Sequence, residues 1–370
     1  MEKTIIHLHE IAQDFIKITD TVAREVYKLS GKAKKYDADK IAVEIMEKLL
    51  DDLPYKIRVL IGEGEKDNSA ILDHKKKYGI RLKDDIELDV VVDPLECTTN
   101  FSKGLPDSMS VMLIAKKGTI QPVPGTYMKQ LLLPKEVKEL AKPEVQQNKP
   151  LSNEEKELID QYLKLDDQKN IVVEKSLLEA EPEDILKLVS IALDLDISDL
   201  TVVIQDRPRH QEIIEKVRNA GAGIALIESG SISASAEIII RKEGRYNLLL
   251  GTYGAPEGLI QAFMAKSTNS IFLGKIQPHN EKTEQEAEEL NILEKIFNQD
   301  EWIQDEGILT MSGIHSSIWL PGVRKIYKKI RQSNEKSYRY LVSTVVWTIN
   351  NVQLLELEDG DLRKKEILFQ

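Results

Sequence analysis

The sequence predicts an α/β protein of two domains, and three observations carry that expectation. The chain has 370 residues, enough for two cores of ordinary size. Its second half alternates helical and strand patterns. Its first half holds two short apolar runs, each ending in an acidic turn broken by glycine or proline.

Taken in order, helical periodicity covers about 8–30 and 38–52, where Ile41, Val43, Ile45, Met46, Leu49 and Leu50 mark an apolar face. Strands are expected near 58–62, 88–93 and 109–116, from runs of branched residues. The polar stretch 134–172 reads as an insertion or interdomain segment with a surface helix around 153–165. A helix near 183–195 then leads to a strand at 200–204, a helix at 208–219, a strand at 224–227, another helix, and a strand at 247–250. Such alternation belongs to α/β units with mainly parallel strands. The domain division is expected near residue 170, with 1–170 forming an α+β domain that carries the polar insertion and 171–370 forming an α/β domain.

Composition narrows the function. A hydrophobic fraction of 41% and a charged fraction of 31% are those of a soluble protein. No apolar run has the length to cross a bilayer, and the N-terminal residues lack the apolar core of a signal peptide. Cys97 is the single cysteine. That excludes an internal disulfide and fits a reducing compartment, so a cytoplasmic location is expected. A net charge of −11 argues against nucleic acid or an anionic membrane as partner. An anionic substrate would need a local cationic well. Trp302, Trp319 and Trp347 lie in the C-terminal third and read as core or interface residues, and a homo-oligomer is expected.

The chemistry concentrates in Arg-Val-Leu-Ile-Gly-Glu-Gly-Glu (58–65) and Asp-Val-Val-Val-Asp-Pro-Leu-Glu-Cys-Thr-Thr-Asn (89–100). If these strands are neighbours, Glu63, Glu65, Asp93 and Glu96 converge at one sheet edge. Carboxylates so crowded repel one another unless a divalent cation neutralises them. Hard oxygen donors suit Mg²⁺ or Mn²⁺, whose usual partner in an enzyme is phosphate. Thr98 and Thr99 follow at a helix start, where free N–H groups favour an anion. The competing readings are a solvated turn for Gly-Glu-Gly-Glu and simple helix N-caps for Thr98 or Thr99.

Three later loops carry suggestive residues. Gln-Asp-Arg-Pro-Arg-His (205–210) places Arg207 and Arg209 before a helix, either as a phosphate fork or as solvated surface arginines. Glu-Ser-Gly-Ser (228–231) is a hydroxyl- or phosphate-binding turn or a helix cap. Gly-Thr-Tyr-Gly-Ala-Pro-Glu-Gly (251–258) puts Glu257 in a first helical turn, where the helix dipole alone would favour an acid. His210, His279 and His315 lack metal-ligand spacing and read as structural or solvated.

Taken together, the chain resembles the class II fructose-1,6-bisphosphatases of bacteria, within the lithium-sensitive, metal-dependent phosphatases that include inositol monophosphatases. The motifs are Ala-Asp (38–39), Ile-Gly-Glu-Gly-Glu (61–65), Asp-Pro-Leu-Glu-x-Thr (93–98), Tyr-Met (127–128), Arg-Pro-Arg-His (207–210) and Gly-Ala-Pro-Glu-Gly (254–258). They run in the family's order from about Asp39 to Gly258. The resemblance implies a layered α/β/α/β/α sandwich of two domains with the site between them. It implies metal ligands at Asp39, Glu63, Asp93, Glu96 and Glu257, with the carbonyl of Leu95 added, for Mn²⁺ or Mg²⁺. It implies catalysis by Thr98 with Asp39 and Glu63. Substrate contacts are implied at Glu96, Cys97, Thr98, Thr99, Tyr127, Arg207, Arg209, Ser229 and Ser231. Asp39 rests on the resemblance alone, since its pattern equally fits the exposed face of a helix.

Departures from the family pattern bear on the substrate. Cys97 stands where the family has glycine, in the phosphate-binding turn, so a glycine-only backbone angle there would be strained. It reads either as a redox-sensitive position or as a small residue tolerated in the turn. Arg207 replaces a lysine, and Ser229 and Ser231 replace two aspartates that contact the sugar. The implied activity is hydrolysis of fructose 1,6-bisphosphate to fructose 6-phosphate and phosphate. Sedoheptulose 1,7-bisphosphate or another sugar or polyol phosphate is the alternative, and a non-catalytic sugar-phosphate-binding paralogue is the third.

Overall fold

The computed structural model describes residues 8–32, 35–61, 77–80, 86–240, 244–329 and 336–369. The chain begins with α1 (Leu8–Tyr27) and α2 (Lys35–Asp51), then β1 (Lys56–Ile61), β2 (Lys77–Tyr78), β3 (Glu87–Glu96), the short α3 (Thr98–Lys103) and β4 (Met109–Lys116). Next come β5 (Tyr127–Leu133), α4 (Lys135–Glu139), α5 (Pro143–Gln147), α6 (Asn153–Tyr162), β6 (Leu163–Leu165), β7 (Ile171–Val173) and α7 (Pro182–Leu193). The alternating stretch follows as β8 (Thr201–Gln205), α8 (Gln211–Asn219), β9 (Gly223–Ile227), α9 (Ser231–Ile240), β10 (Leu248–Gly254) and α10 (Ala255–Ser267). After β11 (Ile271–Gln277), α11 (Glu281–Glu289), β12 (Ile296–Asn298) and α12 (Gln299–Trp302), the chain ends in β13 (Gly307–Gly313), β14 (Arg324–Lys329), β15 (Lys336–Thr348), β16 (Asn351–Glu358) and β17 (Asp361–Phe369).

Two compact units result, 1–125 with 304–370 and 126–303. The division expected at residue 170 therefore falls inside the second unit. Sheet pairing is the reason: β13 lies antiparallel between β4 and β15, with Leu309 opposite Leu113 and Trp347. Non-local pairing of this kind has no local sequence signature.

In the first unit the sheet order is β17-β16-β15-β13-β4-β3-β1-β2, with β14 paired to β15. β1 and β3 are parallel neighbours, Arg58 opposite Asp89 and Val59 opposite Val90. The adjacency expected for the two acidic segments is thus present. β3 is buried along nearly its whole length, as its unbroken apolar run requires. Phe15, Ile18 and Val22 of α1 and Ala42, Met46 and Leu50 of α2 pack in one core with Val90, Val92, Met112 and Ile114. Register between β1 and β3 is pinned by a bidentate ion pair. Arg58 Nε donates to Asp89 Oδ1 at 2.7 Å and Nη2 donates to Oδ2 at 2.8 Å, with Asp89 fully buried.

In the second unit the sheet order is β12-β11-β5-β10-β8-β9. β9, β8 and β10 are parallel, as the alternating pattern predicts. β5 is antiparallel to β10 and to β11, and β12 is antiparallel to β11, so the sheet is mixed rather than mainly parallel. The antiparallel half arises because β5 comes from outside the alternating stretch. The polar segment 134–172 is integrated rather than inserted. α6 starts at a Ser152/Glu155 capping box, and Ile159 and Tyr162 join the core formed with Leu131, Val189 and Val202. Trp302 and Trp347 are fully buried and Trp319 nearly so, so all three are core residues.

Candidate active site

In the first unit the site residues gather where β3 ends. Pro94 has no N–H, and the ladder between β3 and β4 shifts register between Asp93 and Glu96. This bulge re-aims the side chains that follow. Asp93 Oδ1 accepts the Leu95 N–H at 3.2 Å, tightening the turn. Asp93, Glu96 and Thr98 are all buried. Asp39 lies in α2 at 3% exposure, so it is not on a solvent face, and α2 packs against both β3 and α3. Glu63 and Glu65 lie outside the described residues.

Cys97 precedes α3 with φ 66° and ψ 41°, in the left-handed region. Glycine adopts that conformation freely, whereas an L side chain there costs about 1–2 kcal/mol. The strain expected at this position is therefore present. Cys97 is 3% exposed, which leaves its thiol little access to oxidant and supports the tolerated-residue reading over the redox one. Thr98 and Thr99 open α3, which closes at Gly104 in a left-handed cap.

In the second unit the arginines sit where the parallel strands end. Arg207 follows β8, donating from Nη1 to Asp206 O at 2.8 Å and from Nη2 to Glu228 O at 2.9 Å. It thereby ties its own loop to the loop after β9, which carries Ser229. Arg209 donates from Nε and Nη2 to Thr252 O and from Nη2 to Gln205 Oε1. Its guanidinium also lies 4.6 Å from the centre of the Tyr127 ring. Burial lowers the Arg209 pKa from its ordinary value, but a guanidinium remains protonated at any physiological pH. A cavity of about 350 Å³ opens beside Arg209, with Lys129, Thr252 and Gln277 in its lining.

Ser231 is buried in the first turn of α9 and accepts from Gln261 Nε2 of α10 at 3.3 Å. Glu257 is in the first turn of α10, where an acid is favourable on dipole grounds. Its carboxylate folds back over Gly254, where a Cβ would stand 1.9 Å from Oε2. Glycine at 254 is thus what allows Glu257 that position.

Sequence reasoning did not identify the partners that hold these residues. His210, read as structural or solvated, is buried and structural: Nδ1 meets Gln205 O at 2.7 Å, and Nε2 accepts from Thr252 N at 2.8 Å. Both contacts require the neutral Nδ1–H tautomer, and burial lowers its pKa in the same direction. His279 stands edge-on to Tyr127, ring centres 5.8 Å apart. Thr252 lies inside a glycine-rich run already visible in the sequence. Asp89 lies inside a quoted strand, and its register with Arg58 is the signal that would have found it.

Among the described residues, no group of three or more His, Cys, Asp or Glu side chains is arranged to hold a metal ion. The donor chemistry still fits a hard divalent cation, because Asp39, Asp93 and Glu96 offer carboxyl oxygens and are each at most 6% exposed. Among the same residues no helix is long and apolar enough to cross a membrane.

Comparison with known proteins places the chain. The family described as "Bacterial fructose-1,6-bisphosphatase, glpX-encoded" matches residues 9–337. A Synechococcus protein is 28% identical over 377 residues, covering 95% of this chain and 97% of its own. A Synechococcus elongatus protein is 30% identical, covering 88% and 89% respectively. A Synechocystis protein is 28% identical, covering 90% and 94%. All three carry the name D-fructose 1,6-bisphosphatase class 2/sedoheptulose 1,7-bisphosphatase. Matched over nearly its whole length, this chain belongs to the bacterial class II fructose-1,6-bisphosphatase family and is a phosphoric monoester hydrolase.

Proposed function

We propose that the chain hydrolyses fructose 1,6-bisphosphate to fructose 6-phosphate and phosphate, using Mn²⁺ or Mg²⁺ held by its buried carboxylates. The observation that carries this reading is the end of β3. There a bulge at Pro94 sets Asp93, Glu96 and Thr98, all buried, within six residues. Asp39, Asp93, Glu96 and the Leu95 carbonyl are assigned as ligands. Glu63 joins that set from the acidic strand-end pattern, and Asp39, the Leu95 carbonyl and Glu257 enter it through the resemblance. A bound divalent cation supplies charge neutralisation and lowers the pKa of a coordinated water.

The chain's own groups do the rest. On the resemblance, Thr98 would orient the attacking water and accept its proton while its own hydroxyl proton passes to the Asp39 carboxylate. Backbone N–H groups at 97–99 hold phosphoryl oxygens. Arg207, Arg209 and Tyr127 bind the remainder of the substrate and limit its motion, which lowers the entropy cost of in-line attack. Ser229 and Ser231 contribute hydroxyls to sugar recognition. The superfamily of inositol monophosphatase-like phosphatases is the placement this chemistry fits. Action in the cytoplasm as a homo-oligomer is part of the same proposal.

Sedoheptulose 1,7-bisphosphate is the second substrate. The relatives' names include it, and serines at 229 and 231 in place of the family's aspartates alter the sugar contacts. The test is phosphate release from a panel of sugar bisphosphates with Mn²⁺, Mg²⁺ or chelator, in wild type and Asp93→Asn. Metal-dependent release lost in Asp93→Asn supports the reading. Release from no substrate under any condition would assign a non-catalytic role.

A further inference from the structure

α3 has only six residues, too few to hold itself in place, so its position depends on tertiary partners. His315, far along the chain in the loop after β13, supplies several of them. Its imidazole stacks on Phe101, ring centres 5.3 Å apart and planes 15° from parallel. Nδ1 meets Leu105 O, just past the helix, at 2.8 Å. Nε2 meets Ser30 Oγ, beyond the end of α1, at 2.5 Å. The His315 backbone N–H reaches Ser108 O at 3.1 Å and Ser108 Oγ at 3.2 Å.

Phe101 is fully buried and sits one helical turn from Thr98, on the same face. A shift of Phe101 therefore moves Thr98 with it. The contacts at Nδ1 and Nε2 suit one neutral tautomer, with Nδ1–H donating to the carbonyl and Nε2 accepting from the serine hydroxyl. Burial lowers the His315 pKa, which favours the same form.

We propose that His315 is a positioning residue for the phosphatase reaction, setting Thr98 through Phe101 and the 104–108 loop. This rests on the reading of Thr98 given above. The imidazole ties the segment after α1, α3 and the loop after β13 together, with both ring nitrogens engaged.

The experiment compares kcat and KM of wild type, His315→Ala, His315→Asn, Ser30→Ala and Thr98→Ala, with folding checked by circular dichroism. Misplacing a reacting group by about 1 Å costs on the order of 100-fold. His315→Ala is therefore expected to lower kcat about 10- to 100-fold with KM within about twofold. His315→Asn, which restores a donor toward Leu105 O, is expected to recover part of that loss. Ser30→Ala removes only the Nε2 contact and remains informative if His315→Ala does not fold; a smaller fall in kcat is expected. Wild-type kcat per folded molecule in the His315 and Ser30 variants, with Thr98→Ala inactive, overturns the positioning role alone. Wild-type activity in Thr98→Ala overturns the reading of Thr98 and this inference with it.

Discussion

Asp20 offers a test that depends on the fold alone. It lies in α1 at 1% exposure, its Oδ1 has no hydrogen-bond partner among the described residues, and its nearest cation, Arg24, stands 3.6 Å away. Burial raises its pKa from 3.8 to about 6, partly offset by Arg24 and reinforced by Asp359. Folding therefore disfavours the ionised form. The folded state binds more protons than the unfolded state between these two values, so stability falls as pH rises through that window. The difference corresponds to about 3 kcal/mol, fully expressed above about pH 7, about half expressed at pH 5, and absent below pH ~3.8. Asp20→Asn keeps the shape and removes the charge. It is expected to raise unfolding free energy by up to about 3 kcal/mol at pH 8 and about half as much at pH 5. Urea unfolding followed by circular dichroism at both pH values reads this directly. A variant less stable than wild type at pH 8, or a gain independent of pH, would refute the reasoning.

Further expectations follow from individual contacts. Arg58→Ala removes the cation paired with the buried Asp89, which keeps its hydrogen bond from the Gly118 N–H, and because Arg58 is itself half-exposed the loss should be about 2 kcal/mol by urea unfolding, below that for a fully buried pair. At Cys97, glycine relieves about 1–2 kcal/mol of left-handed strain but returns about 0.4–1 kcal/mol as unfolded-chain entropy, so Cys97→Gly should melt close to wild type. Cys97→Val, β-branched at positive φ, should melt well below Cys97→Gly and lose phosphate release. Arg209→Lys keeps the charge but loses the fork to Thr252 O and Gln205 and the stacking on Tyr127. Its KM for the sugar bisphosphate should rise about tenfold with kcat largely retained.

The candidate residues at the end of β3 were legible in sequence because they are local. Asp93, Pro94, Glu96 and Thr98 sit within six positions, and the proline that breaks the ladder is itself in the motif. The left-handed turn at Cys97 was expected only through the resemblance, in which glycine stands at that position. Nothing in Glu-Ser-Gly-Ser reveals that Gln261 of α10 lies against Ser231. His210 and His315 were read as structural or solvated without their partners, which lie 5 and 285 residues away.

The amino-acid order by itself determined the helices and strands of the alternating stretch, the acidic strand ends and the family, since these depend on periodicity and short-range spacing. Tertiary structure alone decided that the chain's end returns to β4 and that Asp89 needs Arg58. It also decided that the polar segment 134–172 belongs to a core and that an imidazole from beyond β13 stacks on Phe101. Each of those is a pairing between segments far apart in sequence, where burial and hydrogen-bond geometry, rather than local propensity, select the partner.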